Sequence, residues 1–376
     1  MNDCKVNVFS FFAGAGFLDL GFELAEGYSI VYVSEFHKPF NDIYRYSRKH
    51  MNLPSPKYGH HVEDVSSLLE KPNRSRIKAL VDDSKKEAVT GFIGGPPCPD
   101  FSVAGKNRGK DGDNGKLSGI YVDLICANKP DFFLFENVKG LYRTSRHRAF
   151  FEQLKEKLRK NGYCLTEQLV NALEFGVPQD RDRIILIGIH RSLVKRVNLP
   201  VSDNVLQGFP WEKYKTHNLT DVLNRPWPDH DAFLPDAQGR PAPDGIIPEL
   251  TVQYWWNQND VSHHPNAGMY FTPKAGLSRF LTKDEGDVVK KCYKRLHRNR
   301  YSPTAAYGNN EVHVHPYEAR RISVAEALAI QSLPAGFQIP KDVTLSDAFK
   351  TIGNGVPFLL ARGIALSLHD YLNKRI

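Results

Sequence analysis

No two cysteines in this chain show the Cys-x-x-Cys spacing of a zinc ribbon or redox motif. The five thiols, Cys4, Cys98, Cys126, Cys164 and Cys292, stand singly and are odd in number, which argues against a disulfide framework. A reducing, cytosolic compartment is the expectation. No Gly-Lys-Ser/Thr sequence occurs, so no phosphate-cradling P-loop is marked. No apolar run reads as long enough to cross a bilayer. The opening, MNDCKVNVFSFFAGAGF, carries Asp3 and lacks the basic segment of a secretory leader. The pairs His60–His61 and His263–His264, and His313 with His315, lack a matching acidic or cysteine set, and no metal is expected.

What is present suits a globular protein of two domains, because 376 residues exceed one typical core. The formal net charge of +8 and a pI near 9.1 favour a polyanionic partner. The charge is uneven. The run KKCYKRLHRNR gathers Lys290, Lys291, Lys294, Arg295, Arg298 and Arg300. On a helix, Lys290, Lys294 and Arg298 would share one face. The run is either a solvated helix face or a phosphate-contacting surface.

In the first half, apolar runs alternate with helical stretches. KVNVFSFFAG, YSIVYVSEF, EAVTGFIGG, KPDFFLFENV and DRIILIGIH read as strands; GFLDLGFELAEG and HRAFFEQLKEKLRKNGY read as helices. That alternation implies βαβ units and a parallel sheet. After about residue 190, prolines, tryptophans and polar residues break the periodicity, and a smaller irregular region is expected over 191 to about 320. Helical spacing returns in SVAEALAIQSL and VPFLLARGIALSLHDYL. The stretch GKNRGKDGDNGKLSG, residues 105–119, has the glycine and charge content of a long mobile loop.

Strand, glycine turn and helix form the nucleotide-binding start of a doubly wound fold, and FFAGAGF supplies Gly14 and Gly16 for the turn. Glu35, about 20 residues on, is placed to accept both ribose hydroxyls. Asp64 either accepts from an adenine amino group or caps a helix. Without a P-loop, an adenosyl cofactor lacking phosphates fits better than a triphosphate. Cys98 follows a strand and sits behind Pro96 and Pro97, which stiffen the backbone. It is either a buried small hydrophobe or a nucleophile. Glu136 ends another strand, where a carboxylate is costly unless paired or functional. A thiol and a carboxyl able to protonate a ring point to covalent attack on an electron-poor heterocycle. Arg181 and Arg183 precede a strand; they either ion-pair at an exposed edge or hold a carbonyl oxygen or phosphates.

The motifs FFAGAG, SEF, EDV, PPCPDFS, FENV, QDRDR, RISVAEALAIQSLP and IGNGVP occur in one order, with a variable segment after QDRDR. In that set the chain resembles the DNA (cytosine-5)-methyltransferases from about residue 5 to residue 365. The resemblance implies a Rossmann-like, doubly wound α/β methyltransferase domain with a smaller irregular target-recognition domain. It places the catalytic domain at 1–190 and 343–376, and a small domain at 191–342 with target recognition over about 191–305. Cys98 is then the nucleophile for cytosine C6, and Glu136 the group bonded to N3 and the exocyclic amine. Arg183 contacts the carbonyl oxygen, and Arg181 holds the cysteine loop or backbone.

Phe12, Gly14 and Gly16 match the cofactor turn, Glu35 and Phe36 the ribose and adenine ligands, Asp64 and Val65 further adenine contacts. Asn354 and Val356 match the motif that returns to the cofactor. The cofactor implied is S-adenosylmethionine, the partner duplex DNA, and the context a prokaryotic restriction-modification system with a cognate endonuclease. A cytoplasmic monomer with no membrane association is expected. Residues 103–119 match a loop closing over a flipped base. The basic run 290–300 and Thr304 stand as DNA contacts, and Trp255 and Trp256 as core. Three positions depart from the family pattern: Pro99 replaces Gln, Phe17 replaces a second glycine, and Gly355 replaces Ser or Ala. Two other readings are a tRNA methyltransferase, disfavoured by the long variable segment, and a silent nucleic-acid-binding relative, disfavoured by the intact chemical residues.

Overall fold

The computed structural model describes residues 5–97, 113–235, 241–272, 277–290, 292–305, 307 and 313–374. The chain opens with β1 (Val6–Phe11), α1 (Phe17–Glu23), β2 (Tyr28–Ser34), α2 (Lys38–His50) and the two-residue β3 (His60–His61). It continues through α3 (Asn73–Glu87), β4 (Val89–Gly94), α4 (Asp113–Asn128), β5 (Phe132–Val138), α5 (Ser145–Lys160), β6 (Tyr163–Asn171) and β7 (Asp182–His190). Shorter elements follow: α6 (Arg191–Val197), β8 (Val201–Ser202), β9 (Val205–Leu206), α7 (Leu219–Leu223), α8 (Val252–Gln258), α9 (Leu277–Thr282), β10 (Lys294–Arg295) and β11 (His313–Val314). The chain closes with α10 (Val324–Ile330), α11 (Leu345–Asn354) and α12 (Phe358–Leu372).

One sheet runs in the order β3-β2-β1-β4-β5-β7-β6-β9-β8. Strands β1, β2, β4 and β5 are parallel. Their apolar residues alternate between two layers: Val6 and Val8 face one hydrophobic cluster, Phe9 and Phe11 the other. A sheet covered on both faces needs such near-continuous apolar strands. The order reverses at β1, with β2 on one side and β4 on the other. The crevice at the carboxyl ends there is where such sheets bind ligands.

Two strand expectations are corrected. DRIILIGIH forms β7, which is antiparallel to both β5 and β6. Strand β6 was not anticipated, because Thr166, Glu167 and Gln168 in its middle are only half-buried and break the apolar run. The expected loop over 105–119 is helical from Asp113 onward. Tyr121, Val122, Leu124 and Ile125 are buried in the core and anchor that helix, overriding its glycines. By length and composition Leu345–Leu372 could cross a bilayer, unlike any run recognised in the sequence. It is two helices interrupted at Gly355–Pro357, with 67% of its most apolar window buried in the protein.

Helix α12 lies against α1. A Cβ on Gly21 would stand 2.4 Å from Ala361 Cβ and 2.6 Å from the Arg362 backbone nitrogen. Tyr28 Oη donates to the Ala365 carbonyl at 2.8 Å. The last helix thus packs beside the first helix and the second strand. A third cluster joins Phe17 and Leu20 of α1 to Trp256, α10 and α11.

Because backbone cannot retreat as a flexible side chain can, Gly21→Ala is expected to cost about 3 kcal/mol despite alanine's better helix propensity. A urea midpoint equal to wild type would refute the close α1–α12 approach.

Candidate active site

Strand β1 leads into a turn with three residues in the left-handed region: Phe12 (φ 54°), Gly14 (φ 56°) and Gly16 (φ 77°). Such a conformation in Phe12 costs on the order of 1–2 kcal/mol, strain of the sort that gathers at ligand sites. The turn is tied to the end of β2. Glu35 accepts from the Gly14 N–H at 2.8 Å and the His37 N–H at 2.7 Å, and the Ala13 N–H donates to the Ser34 carbonyl at 3.2 Å. Burial holds the Glu35 carboxyl above the usual range, opposed by the His37 and Gly14 N–H groups. Two N–H bonds leave further lone pairs on a fixed carboxylate.

Phe36 beside it is 70% exposed, a wide apolar ring face open at the crevice. A Cβ at Gly14 would meet only Thr351 Oγ1, at 3.8 Å, so the turn borders open space. A fixed carboxylate, an open ring and a bare turn fit a ribose and an adenine without phosphates. Asp64 is exposed and caps a 3₁₀ turn by accepting from the Ser66 N–H at 2.9 Å, so the capping reading holds for one of its oxygens. Val65 and Val356 are buried, and Asn354 is exposed at the end of α11.

The two departures at Phe17 and Gly355 meet in space. A Cβ on Gly355 would lie 2.2 Å from Phe17 Cδ2. A ring at position 17 therefore needs a bare backbone at 355.

At the next strand ends, Glu136 of β5 pairs with Arg183 of β7, Nε to Oε1 at 2.7 Å, with both side chains about 10% exposed. Burial raises the Glu136 pKa against the pull of Arg183 and Arg181. The chain leaving β4 passes directly over it: a Cβ on Gly95 would stand 2.5 Å from Glu136 Oε2. Asn137 Nδ2 reaches the Pro96 carbonyl at 3.4 Å. Cys98 and Pro99 lie outside the described residues, as do 103–112 and Lys291. Gly95 and Pro96, just ahead of Cys98 in the chain, are thus anchored beside Glu136.

Arg181 is fully buried and does not face the crevice as Arg183 does. Its guanidinium donates to the carbonyls of Ala305 at 2.9 Å, Gly353 at 2.8 Å and Gly355 at 3.0 Å. It ties its own strand entry to the backbone at Ala305 and at Gly353–Gly355, a positioning role. Of the DNA contacts expected at 290–300, Arg295 and Arg298 are corrected, because both are buried. The run is not a helix; it contains only β10, paired with β11. Arg295 is fully buried, donating to the carbonyls of Phe280, Lys283, His315, Pro316 and Glu318 and stacking on Phe233. Arg298 forms a buried two-point pair with Glu285 at 2.8 and 2.9 Å and stacks on Tyr317. Arg300 is half-buried and donates to the Pro228 carbonyl at 3.2 Å. Lys294 is half-buried and Lys290 exposed. Thr304 Oγ1 donates to the Asp180 carbonyl at 2.6 Å. The guanidinium groups of Arg295 and Arg298, saturated by carbonyls and a carboxylate, cannot also grip phosphates. Trp256 is core and Trp255 partly so. Among the described residues no group of three His, Cys, Asp or Glu could hold a metal.

A buried network supporting the glycine turn was missed. Asp19 accepts from Ser10 Oγ at 2.8 Å and Tyr44 Oη at 2.9 Å. Arg48 pairs with Glu23 at 2.8 Å and donates to the Gly16 carbonyl at 2.5 Å. A Cβ on Gly16 would strike the Tyr44 ring at 2.3 Å. The sequence signal was an acid inside the apolar FLDLGF. Burial pushes the Asp19 carboxyl up to about 7 against the Arg48 guanidinium.

Comparison with known proteins gives one consistent result. The family model of C-5 cytosine-specific DNA methylases matches residues 6–370. Type II methyltransferase M.NmeDI of Neisseria meningitidis serogroup C is 56% identical over 369 residues, covering 98% of this chain and 84% of that one. Type II methyltransferase M.NgoPII of Neisseria gonorrhoeae is 28% identical, covering 98% and 97%. Among solved structures, an Escherichia coli prophage protein described as a DNA modification methyltransferase is similar in fold, with TM-score 0.65 and 23% identity over 98% and 100% of the two chains. The S. pombe Dnmt2 methyltransferase is similar at TM-score 0.61 and 13% identity over 99% of each.

Asp19 titrates near 3.8 when unfolded and near 7 when folded, so the folded state holds an extra proton between those values. Stability from this group is complete below pH 4 and lost as pH rises to about 7. Asp19→Asn is expected to flatten the wild-type decline in unfolding free energy across that window. Parallel pH curves for the two proteins would disprove the protonated buried acid.

Proposed function

The chain belongs to the C-5 cytosine-specific DNA methylases, and from that premise we propose how it acts. It is a DNA (cytosine-5)-methyltransferase. The proposed reaction moves a methyl group from S-adenosylmethionine to C5 of a cytosine flipped out of duplex DNA, through a bond between Cys98 and C6. The observation that carries this reading is the buried Glu136–Arg183 pair at 2.7 Å beside the Gly95–Pro97 segment that leads into Cys98.

Cytosine C5 is a poor nucleophile. Addition of the Cys98 thiolate at C6 breaks the ring's aromaticity and drives electron density toward N3, O2 and C5. Glu136, held above the usual carboxylate range by burial, can keep a proton to share with N3 and so stabilise that density. Arg183 orients the carboxyl and offers its remaining N–H groups to the carbonyl oxygen. Glu35 is suited to the ribose hydroxyls, Phe36 to an adenine face, and Phe12, Gly14 and Gly16 to close backbone approach. Asp64, Val65, Asn354 and Val356 line the rest of that site by family resemblance. When bound, S-adenosylmethionine supplies a methyl group on a positively charged sulfur. Loss of the C5 proton to water then expels the thiolate. A ring inside the stack cannot expose C6 to a thiol, so the base is swung out first. The Type II designation of the relatives supports a restriction-modification setting, with protection of host DNA from a cognate endonuclease.

Cys98→Ser is expected to abolish methyl transfer to plasmid DNA, read by bisulfite sequencing, and to lose the adduct formed with a 5-fluorocytosine duplex. Glu136→Gln should lower kcat by roughly 10²–10⁴-fold. An adduct mapped to another residue, or methylation of tRNA in place of duplex DNA, would overturn the reading.

A further inference from the structure

We propose that the segment just beyond β5, carrying Lys139, Arg143, Arg146 and Arg148, is a phosphate-binding surface for the DNA strand beside the active edge. The proposal rests on the DNA-methylating reading above.

The overall charge of +8 must be displayed somewhere to attract a polyanion. The conspicuous run at 290–300 does not display it, since Arg295 and Arg298 are buried and internally paired. The segment KGLYRTSRHR, residues 139–148, holds four Lys and Arg and no Asp or Glu. All four cations are exposed.

Their location decides the matter. Lys139 directly follows β5, three residues past Glu136, and Val138 is opposite Arg183 in the sheet register. Lys139 Nζ pairs with Asp182 at 2.9 Å, which binds the start of this surface to the same strand end as Arg183. The backbone beneath is fixed. Leu141 is fully buried, Thr144 Oγ1 accepts from the His147 N–H at 3.1 Å, and the His147 ring bonds the Gly140 carbonyl at 3.1 Å.

The arginines also stand against local electrostatics. Arg146 and Arg148 occupy the first turn of the sixteen-residue α5, and that turn contains no acid. Cations at the positive end of a helix are unfavourable, and an anion there relieves both charges. Helix α6 provides the contrast. Arg191, Lys195 and Arg196 are equally exposed, but they follow β7, whose reversed direction puts them at the opposite edge of the sheet. Lys195 and Arg196 lie in the last turn, where the helix dipole already favours them.

The two sites give a charge-matched experiment. Arg143→Gln/Arg148→Gln and Lys195→Gln/Arg196→Gln each remove two positive charges. Binding to a fluorescent mixed-sequence duplex is measured across a salt series, with methyl transfer to plasmid DNA and urea midpoints alongside. The first pair should weaken binding on the order of tenfold at about 0.1 M salt and reduce the slope of log K against log salt by about 2. The second pair should leave both as in wild type, and Arg143→Lys/Arg148→Lys should retain the slope. Equal losses in both pairs, or none in either, would overturn the surface while methylation by the wild type left the functional reading standing. Absence of duplex methylation by the wild type would overturn that reading and this surface with it.

Discussion

A carboxyl group kept nearly dry against one guanidinium organises this molecule. Glu136 can be stable at the end of a buried strand because Arg183 meets it. Arg183 is there because β7 runs against β5. In an all-parallel sheet the first residues of that strand would lie at the far edge, and Glu136 would face an empty register. The reversed direction of β7 is therefore a chemical requirement as much as a topological one. Gly95 completes the arrangement, since any side chain there would displace the carboxylate.

The cofactor side obeys the same logic of enforced closeness. The glycine turn is gripped from above by Glu35 and from below by Arg48 and Tyr44. On the lower side no bulk is tolerated, since a Cβ on Gly16 would strike the Tyr44 ring. Phe17 and Gly355 show how such crowding is shared between distant positions: the ring occupies the space that a side chain at 355 would claim. Two departures from the family pattern thus become one adjustment. Arg181 joins the two sides, because its guanidinium binds the Gly353 and Gly355 carbonyls while its backbone leads into the strand that carries Arg183.

Much of this was legible in the residues. The strands β1, β2, β4 and β5 and the first helix followed from runs of buried Val, Ile and Phe, and Glu35 and Glu136 stood out as acids at strand ends, while α2, α3 and α4 were not read. What misled was charge and polarity read without burial. The 290–300 run looked like a surface because arginines usually are; Arg295 instead satisfies a knot of backbone carbonyls that no local pattern announces. Strand β6 hid behind its polar centre, and Asp19 behind the apolar helix that surrounds it. The direction of β7 depends on long-range pairing and leaves no trace in its own nine residues.

The packing of α12 onto α1 ties the beginning of the chain to its end. A ribosome delivers β1 and α1 first and α12 last, so one apolar flank of the nascent sheet stays bare throughout translation. No copy that lacks α12 can complete this part of the core. A chain cut before α12 is therefore expected to keep that flank open to water and to proteases.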